Sequence, residues 1–205
     1  AQGLTAVSVD TFTQYFDTLA WTFEFMALCK ARPVAGDASL AKILQALIHT
    51  QLCKQRDAEQ LRTDVAEMRE RVAKEFPPND PWALKHAYGG LMEIDFAAQY
   101  LLLKNAHSHP DIVRRNGEDL LAALAHAKLL DAAAARALLE AYHLLESLQH
   151  MLRLSAGRQL DETAPPGLKV LLAAATGCED FEALKNKLVA VEKAAHTHYM
   201  DILTP

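Results

Sequence analysis

The sequence has 205 residues, half of them hydrophobic with few Gly or Pro, which describes a folded globular chain and excludes a disordered or collagen-like one. Its net charge of −5 and dispersed basic residues argue against nucleic acid as a partner, since nucleic-acid binders gather Lys and Arg on one face. No apolar stretch reaches the roughly 20 residues of a membrane span, and Cys29, Cys53 and Cys178 lie far apart without CxxC spacing.

Those cysteines read as reduced thiols of a cytoplasmic protein. The N-terminus, AQGLT, has neither a basic n-region nor an apolar h-region, so no signal peptide is expected there. It also lacks an initiator Met, as a piece of a longer chain would.

Taken in chain order, the apolar spacing is helical almost throughout. Ser8 or Asp10 is expected to cap one helix reaching about Ala31, with Trp21, Phe25, Leu28 and Arg32 along a stripe, before Arg32-Pro33 stops it. Asp37 or Ser39 starts a second helix to about Cys53. Asp57 starts a third, through Leu61, Val65, Met68 and Val72. The run Phe76 to Pro81 (FPPNDP) is the clearest break, a stiff proline-rich joint. Beyond it helices are expected near 90–106, 117–129, 132–155, 167–176 and 180–202, with Asn116 and Asp131 at cap positions. Leu4 to Val9 is the one strand-like stretch, and it is short. The expected architecture is all-α with about eight helices: an N-terminal helical region over 1–78 and a helical bundle over 79–205.

The most informative stretch is 84–100. Lys85 and His86 lead into Gly89-Gly90, and the apolar run that follows carries only Glu93, Asp95 and Gln99 as polar groups. A glycine pair opening a helix leaves amide N–H groups unblocked, which favours an anion. Residues two apart on a helix point about 200° from each other, so Glu93 and Asp95 cannot chelate one metal from this helix alone. Two readings stay open. In one, Asp95 and Gln99 are a buried polar pair satisfied by neighbouring helices. In the other, Lys85, the Gly89-Gly90 amides and a carboxylate form one wall of a cleft.

Glu24, Lys30 and Arg32 close the first expected helix, where cations suit the macrodipole and could equally meet a phosphate. Nine histidines invite a metal reading. However, His196 and His198 would point apart on a helix and His107 with His109 sits in a turn, so no metal site is expected. There is no HExxH, GxSxG, GxxxxGK[ST] or GxGxxG, hence no self-sufficient catalytic apparatus and no assigned catalytic residue.

Two segments together resemble the bacterial glutamine synthetase adenylyltransferases. Thr22 to Asp37 (TFEFMALCKARPVAGD) is similar to that family's TWExxALxxARxVAGD, and Lys85 to Gln99 (KHAYGGLMEIDFAAQ) to its DLKxGxGGLxDIEFxxQ. Met68-Arg69 falls where the family has an MR on a helix, and Leu148 to Leu154 (LQHMLRL) resembles LEHRLQL. Phe23 stands for the usual Trp, Ala83 for Asp and Ala87 for Gly, while Glu93 and Asp95 exchange the usual Asp and Glu.

The resemblance implies a parent enzyme that moves AMP between ATP and a tyrosine of glutamine synthetase, using magnesium, under the PII signal protein and glutamine. It also implies that the catalytic carboxylates lie on upstream chain, since the family's Gly-Ser turn, Asp-x-Asp pair and RLRPxG segment are missing here. Leu4 to Asp10 (LTAVSVD) resembles the stretch just past that segment, and GGL with AQYL fits the second of the family's two halves, the one associated with attaching AMP. On this resemblance Lys30, Arg32, Lys85, Gly89, Gly90 and Glu93 are the candidate wall of a nucleotide site. The alternatives are a docking module for glutamine synthetase or PII without nucleotide contact, and the helical domain of a PII uridylyltransferase.

Overall fold

The computed structural model describes residues 6–78, 80–114, 116–155, 160 and 164–204. Among them the fold is all-α: α1 (Val9–Thr18), α2 (Thr22–Leu28), α3 (Ala38–Leu52), α4 (Ala58–Glu75), α5 (Leu91–Asn105), α6 (Gly117–His126), α7 (Ala132–Ser155), α8 (Pro166–Ala175) and α9 (Phe181–Leu203), with a 3-10 turn at Pro110–Ile112. None of the described helices is long and apolar enough to cross a membrane. Of the strand-like stretch, Leu4 and Thr5 lie outside the described residues and Val9 opens α1.

The caps account for the helix starts. Ser8 Oγ accepts the Thr11 N–H at 3.1 Å, the Asp37 carboxylate those of Ser39 and Leu40 at 2.8 and 3.0 Å, and Asp57 that of Gln60 at 2.8 Å. Asn116, Asp131 and Asp180 do the same for α6, α7 and α9 at 3.0, 2.8 and 2.7 Å. Each such bond satisfies an otherwise orphaned amide and contributes about 1 kcal/mol.

The first expected helix is two helices, which corrects the sequence reading. Leu19 and Ala20 both donate to the Tyr15 carbonyl, closing α1, and the Glu24 carboxylate accepts the Trp21 N–H at 2.6 Å, opening α2. A glutamate three residues into a helix can reach back to the capping amide, so Trp21 caps α2 instead of lying on a buried stripe. It is 75% exposed. Because α2 ends at Leu28, Lys30 falls in the turn beyond it and Arg32 in the following irregular segment.

The chain forms two compact units, each discontinuous in sequence. The first takes residues up to Val65 together with Ala98–Leu129. There α1 and α2 pack on α3, and Met26, Leu28, Leu52, Leu61 and Leu121 are buried. The second takes Ala66–Ala97 together with the chain from Leu130 onward, so the border expected at 78/79 falls inside it. In this unit α7 packs on α9, and α8 packs on both. The α7 stripe Leu138, Leu145, Leu148 and Leu152 and the α9 stripe Leu184, Leu188, Val191 and Ala195 follow helical spacing and are buried. Truncating any of these leucines to alanine costs about 2–5 kcal/mol.

Candidate functional site

The stretch singled out in the sequence becomes a tightly tied turn, 84–90, leading into α5. Its geometry starts from Gly89, whose φ of +74° lies in the left-handed region. A Cβ there would stand 1.8 Å from the Glu192 carbonyl oxygen on α9, so only glycine lets the two backbones meet. At Gly90 a Cβ would come within 2.7 Å of the Leu84 carbonyl oxygen.

The turn's own polar groups are consumed locally. Leu91 N–H donates to the Leu84 carbonyl at 2.9 Å, Met92 N–H to that of Lys85 at 3.1 Å, and Gly90 N–H to that of Ala87 at 3.0 Å. The Glu93 and Ile94 amides both donate to the Gly90 carbonyl, at 3.0 and 3.3 Å. The open helix start expected to favour an anion is therefore corrected: its amides already have acceptors.

Glu93 is the hub of the arrangement. Its side chain is 1% exposed, and its Oε1 accepts Arg69 Nε at 2.8 Å. Its Oε2 accepts the Gly89 N–H at 2.7 Å and meets His196 Nδ1 at 2.8 Å. With an ionised carboxylate as acceptor, that imidazole nitrogen carries the hydrogen. Arg69, itself only 6% exposed at its side chain, also donates from Nη2 to the His86 carbonyl at 3.1 Å. Three donors on one sealed carboxylate are what a buried charge needs if desolvation is to be offset.

Around this hub the electrostatics are uneven. Glu192 is buried, and desolvation, with the charges of Asp80 and Glu93 adding to it, pushes its carboxyl up to about 8. Burial lowers His86, aided by Lys85 and Arg69. The buried Cys29 thiol of the first unit is pushed up to about 12 by desolvation, which makes it a poor nucleophile. Tyr88 is half exposed, 5.3 Å from the Arg69 guanidinium and 4.9 Å from the His196 ring.

The structure thus brings Lys85, Gly89, Gly90 and Glu93 together in the second unit, with Lys85 exposed. Lys30 and Arg32 belong to the first unit, and both are exposed. Of the expected buried polar pair, Gln99 is buried but Asp95 is half-buried, so the sealed carboxylate is Glu93, the one that Arg69 and His196 can reach. Sequence reasoning missed His196, 103 residues from its partner. No local spacing in the sequence signals a partner at that distance.

Residues 66–203 match the model of the GlnD PII-uridylyltransferase family, and residues 1–48 that of glutamate-ammonia ligase adenylyltransferase. A protein of Rhodopseudomonas palustris named bifunctional glutamine synthetase adenylyltransferase/adenylyl-removing enzyme is 36% identical over 91% of the chain and 19% of its own length. Proteins of the same name from Xanthobacter autotrophicus and Agrobacterium fabrum are 34% and 32% identical, each over 98% of the chain and 20% and 21% of their own lengths. The chain spans about a fifth of the length of the curated relatives it matches. It belongs to the glutamine synthetase adenylyltransferase family, with residues 66–203 forming a helical region that also belongs to the PII-uridylyltransferase model.

Proposed function

We propose that this chain is the helical part of an enzyme that attaches AMP from ATP to glutamine synthetase and removes it, and that Lys85 meets a phosphate of the nucleotide. The observation that carries this reading is the pinned 84–90 turn, which holds its backbone by bonds to α5 and Arg69 while leaving the Lys85 side chain in solvent. A cation on a pre-set backbone stabilises developing phosphate charge without reorganising. The Gly89-Gly90 amides have no such role on this reading, because they are spent within the turn.

Adenylyl transfer also calls for metal ions held by clustered carboxylates. Among the described residues no group of three or more His, Cys, Asp or Glu side chains is placed to hold a metal ion. The contribution proposed for the second unit is cationic and comes from Lys85. Glu93 acts through the turn it anchors. In the full-length enzyme, Lys85→Ala is expected to reduce AMP transfer about tenfold or more. If Lys85→Ala left both transfer and ATP affinity unchanged, the reading would be wrong.

A second reading has an observation of its own. Leu19, Trp21 and Phe23, at the corner between α1 and α2, are 64%, 75% and 54% exposed, more apolar surface than a lone corner needs. It makes the first unit a docking surface for glutamine synthetase or PII. Replacing Trp21 and Phe23 by serine would then abolish capture of glutamine synthetase or PII by this chain, while Lys85→Ala would not affect it. The names of the relatives that cover more than nine-tenths of the chain favour adenylyl transfer over uridylyl transfer.

A further inference from the structure

His196 stands apart in the Glu93 cluster. Arg69 is 6% exposed at its side chain and Glu93 1%, whereas the imidazole is 34% exposed. Its two nitrogens differ in situation. Nδ1 lies 2.8 Å from Glu93 Oε2 and carries the hydrogen, so Nε2 presents a lone pair. Nε2 has no hydrogen-bond partner among the described residues and is not sealed from solvent. The ring is also held in place. Glu93 is itself fixed by Arg69 Nε and the Gly89 N–H at 2.8 and 2.7 Å, and the Tyr88 and Tyr199 rings lie 4.9 and 6.5 Å from the imidazole. An ion-pair role alone would use Nδ1 and leave Nε2 idle. A carboxylate that fixes the tautomer and aim of an imidazole, with the opposite nitrogen open, is the arrangement of a general base.

The imidazole forms part of the wall of a cavity of about 230 Å³ in the second unit, between α4, the Tyr88 turn and the last turns of α9. That volume is below the roughly 300 Å³ at which sites for whole ligands begin, so it admits a side chain and not a nucleotide. Ala66, Ala73 and Met200 give the wall its apolar part. The Glu70 and Glu93 carboxylates in the same wall oppose an anionic guest and Arg69 a cationic one, which leaves a neutral guest. With Nε2 as acceptor, that guest is a hydrogen-bond donor. A hydroxyl is a neutral donor whose oxygen also attacks phosphorus once its proton is taken.

Resting on the reading that the parent enzyme attaches AMP to a protein, we propose that His196 Nε2 is the general base of that step, taking the proton of an acceptor hydroxyl that the protein substrate inserts into this cavity. The O–H bond breaks and its proton passes to Nε2 while the oxygen bonds the α-phosphorus of ATP. The bond from that phosphorus to the bridging oxygen breaks, and pyrophosphate leaves with the electron pair. Glu93, 2.8 Å from Nδ1, stabilises the imidazolium until Nε2 gives the proton to water. The other ionisable groups around ring and cavity are Arg69 and Glu70 on α4, Tyr88 in the turn and Tyr199 on α9.

The test is made on the full-length enzyme. His196→Asn places an amide N–H where Nδ1 stood, keeping the Glu93 bond, and deletes Nε2. It should lower kcat for AMP attachment about 100-fold or more and leave the KM for ATP unchanged. It should also remove the decline of kcat on the acid side, where protonation of Nε2 takes away the lone pair. A kcat within about threefold of the unaltered enzyme, or a slow variant that keeps the acid-side decline, makes His196 structural and overturns the proposal. Ala73→Leu narrows the cavity away from the Glu93 bonds and should lower kcat/KM for glutamine synthetase about tenfold. This variant decides the matter if His196→Asn unsettles the fold, and unchanged kinetics in it overturn the proposal. Lys85→Ala keeps the two readings apart: loss of rate in His196→Asn with none in Lys85→Ala removes the phosphate contact alone, and the converse removes the base alone.

Discussion

Arg56 in the first unit and Arg69 in the second are held in opposite ways. Arg56, half-buried, donates to backbone carbonyls: Nη1 to Leu52 and Lys54 at 2.9 and 2.7 Å, and Nη2 to Gln51 at 2.7 Å, with the guanidinium 4.4 Å from the Phe25 ring centre. It closes the C-terminal end of α3, where partial negative charge is fixed and costs nothing further to assemble. Arg69 instead faces a full carboxylate, sealed from water on both sides. The first arrangement is a cap whose loss leaves dipoles that water can reach. The second is a pair in which neither member can be removed without stranding the other.

That contrast can be broken most severely at Gly89. Gly89→Ala, whose Cβ would overlap the Glu192 carbonyl, should destabilise by about 4 kcal/mol or more, measured by urea denaturation. Glu93→Ala should cost about 3–5 kcal/mol because Arg69 is left buried and uncompensated; a loss under about 1 kcal/mol would mean that water reaches the pair. Next comes pH. The folded-state carboxyl of Glu192 lies above its ordinary 4.5, at about 8, so the native state holds this proton more tightly than the unfolded chain. Its contribution to stability is complete below about pH 4.5 and is lost as pH rises through about 8. Glu192→Gln should therefore flatten the alkaline decline and be the more stable protein above pH 8, by a few kcal/mol. Arg56→Ala should cost less, about 1–3 kcal/mol, as its carbonyls turn to water. Lys85→Ala, at an exposed position, should leave melting within about 0.5 kcal/mol of the parent.

Much of the fold was legible because helix caps are local. Ser8, Asp37, Asp57, Asn116 and Asp131 each act within three residues, and the sequence shows them directly. The split between α1 and α2 was hidden because the Trp21 cap bears no side-chain acceptor; the closing group is Glu24, three residues on. The site was legible only as a segment. Periodicity places Glu93 and Asp95 on different faces of α5, but cannot say which face meets an arginine. Arg69 is 24 residues away and His196 more than a hundred, so the choice of Glu93 as the sealed carboxylate is a property of tertiary packing. The amides of the Gly89-Gly90 turn looked available for the same reason: their acceptors are carbonyls of a turn whose shape one-dimensional spacing does not encode.

The interleaved path of the second unit bears on where this gene can be cut. The proline joint at Pro77-Pro78 is the inviting place, yet a polypeptide starting after it would carry Glu93 and His196 with no Arg69. A start at Ala66 keeps the arginine, and that is where the second unit and the family match both begin. For anyone expressing pieces of this protein, twelve or so residues upstream of the obvious linker separate a sealed ion pair from a lone buried anion.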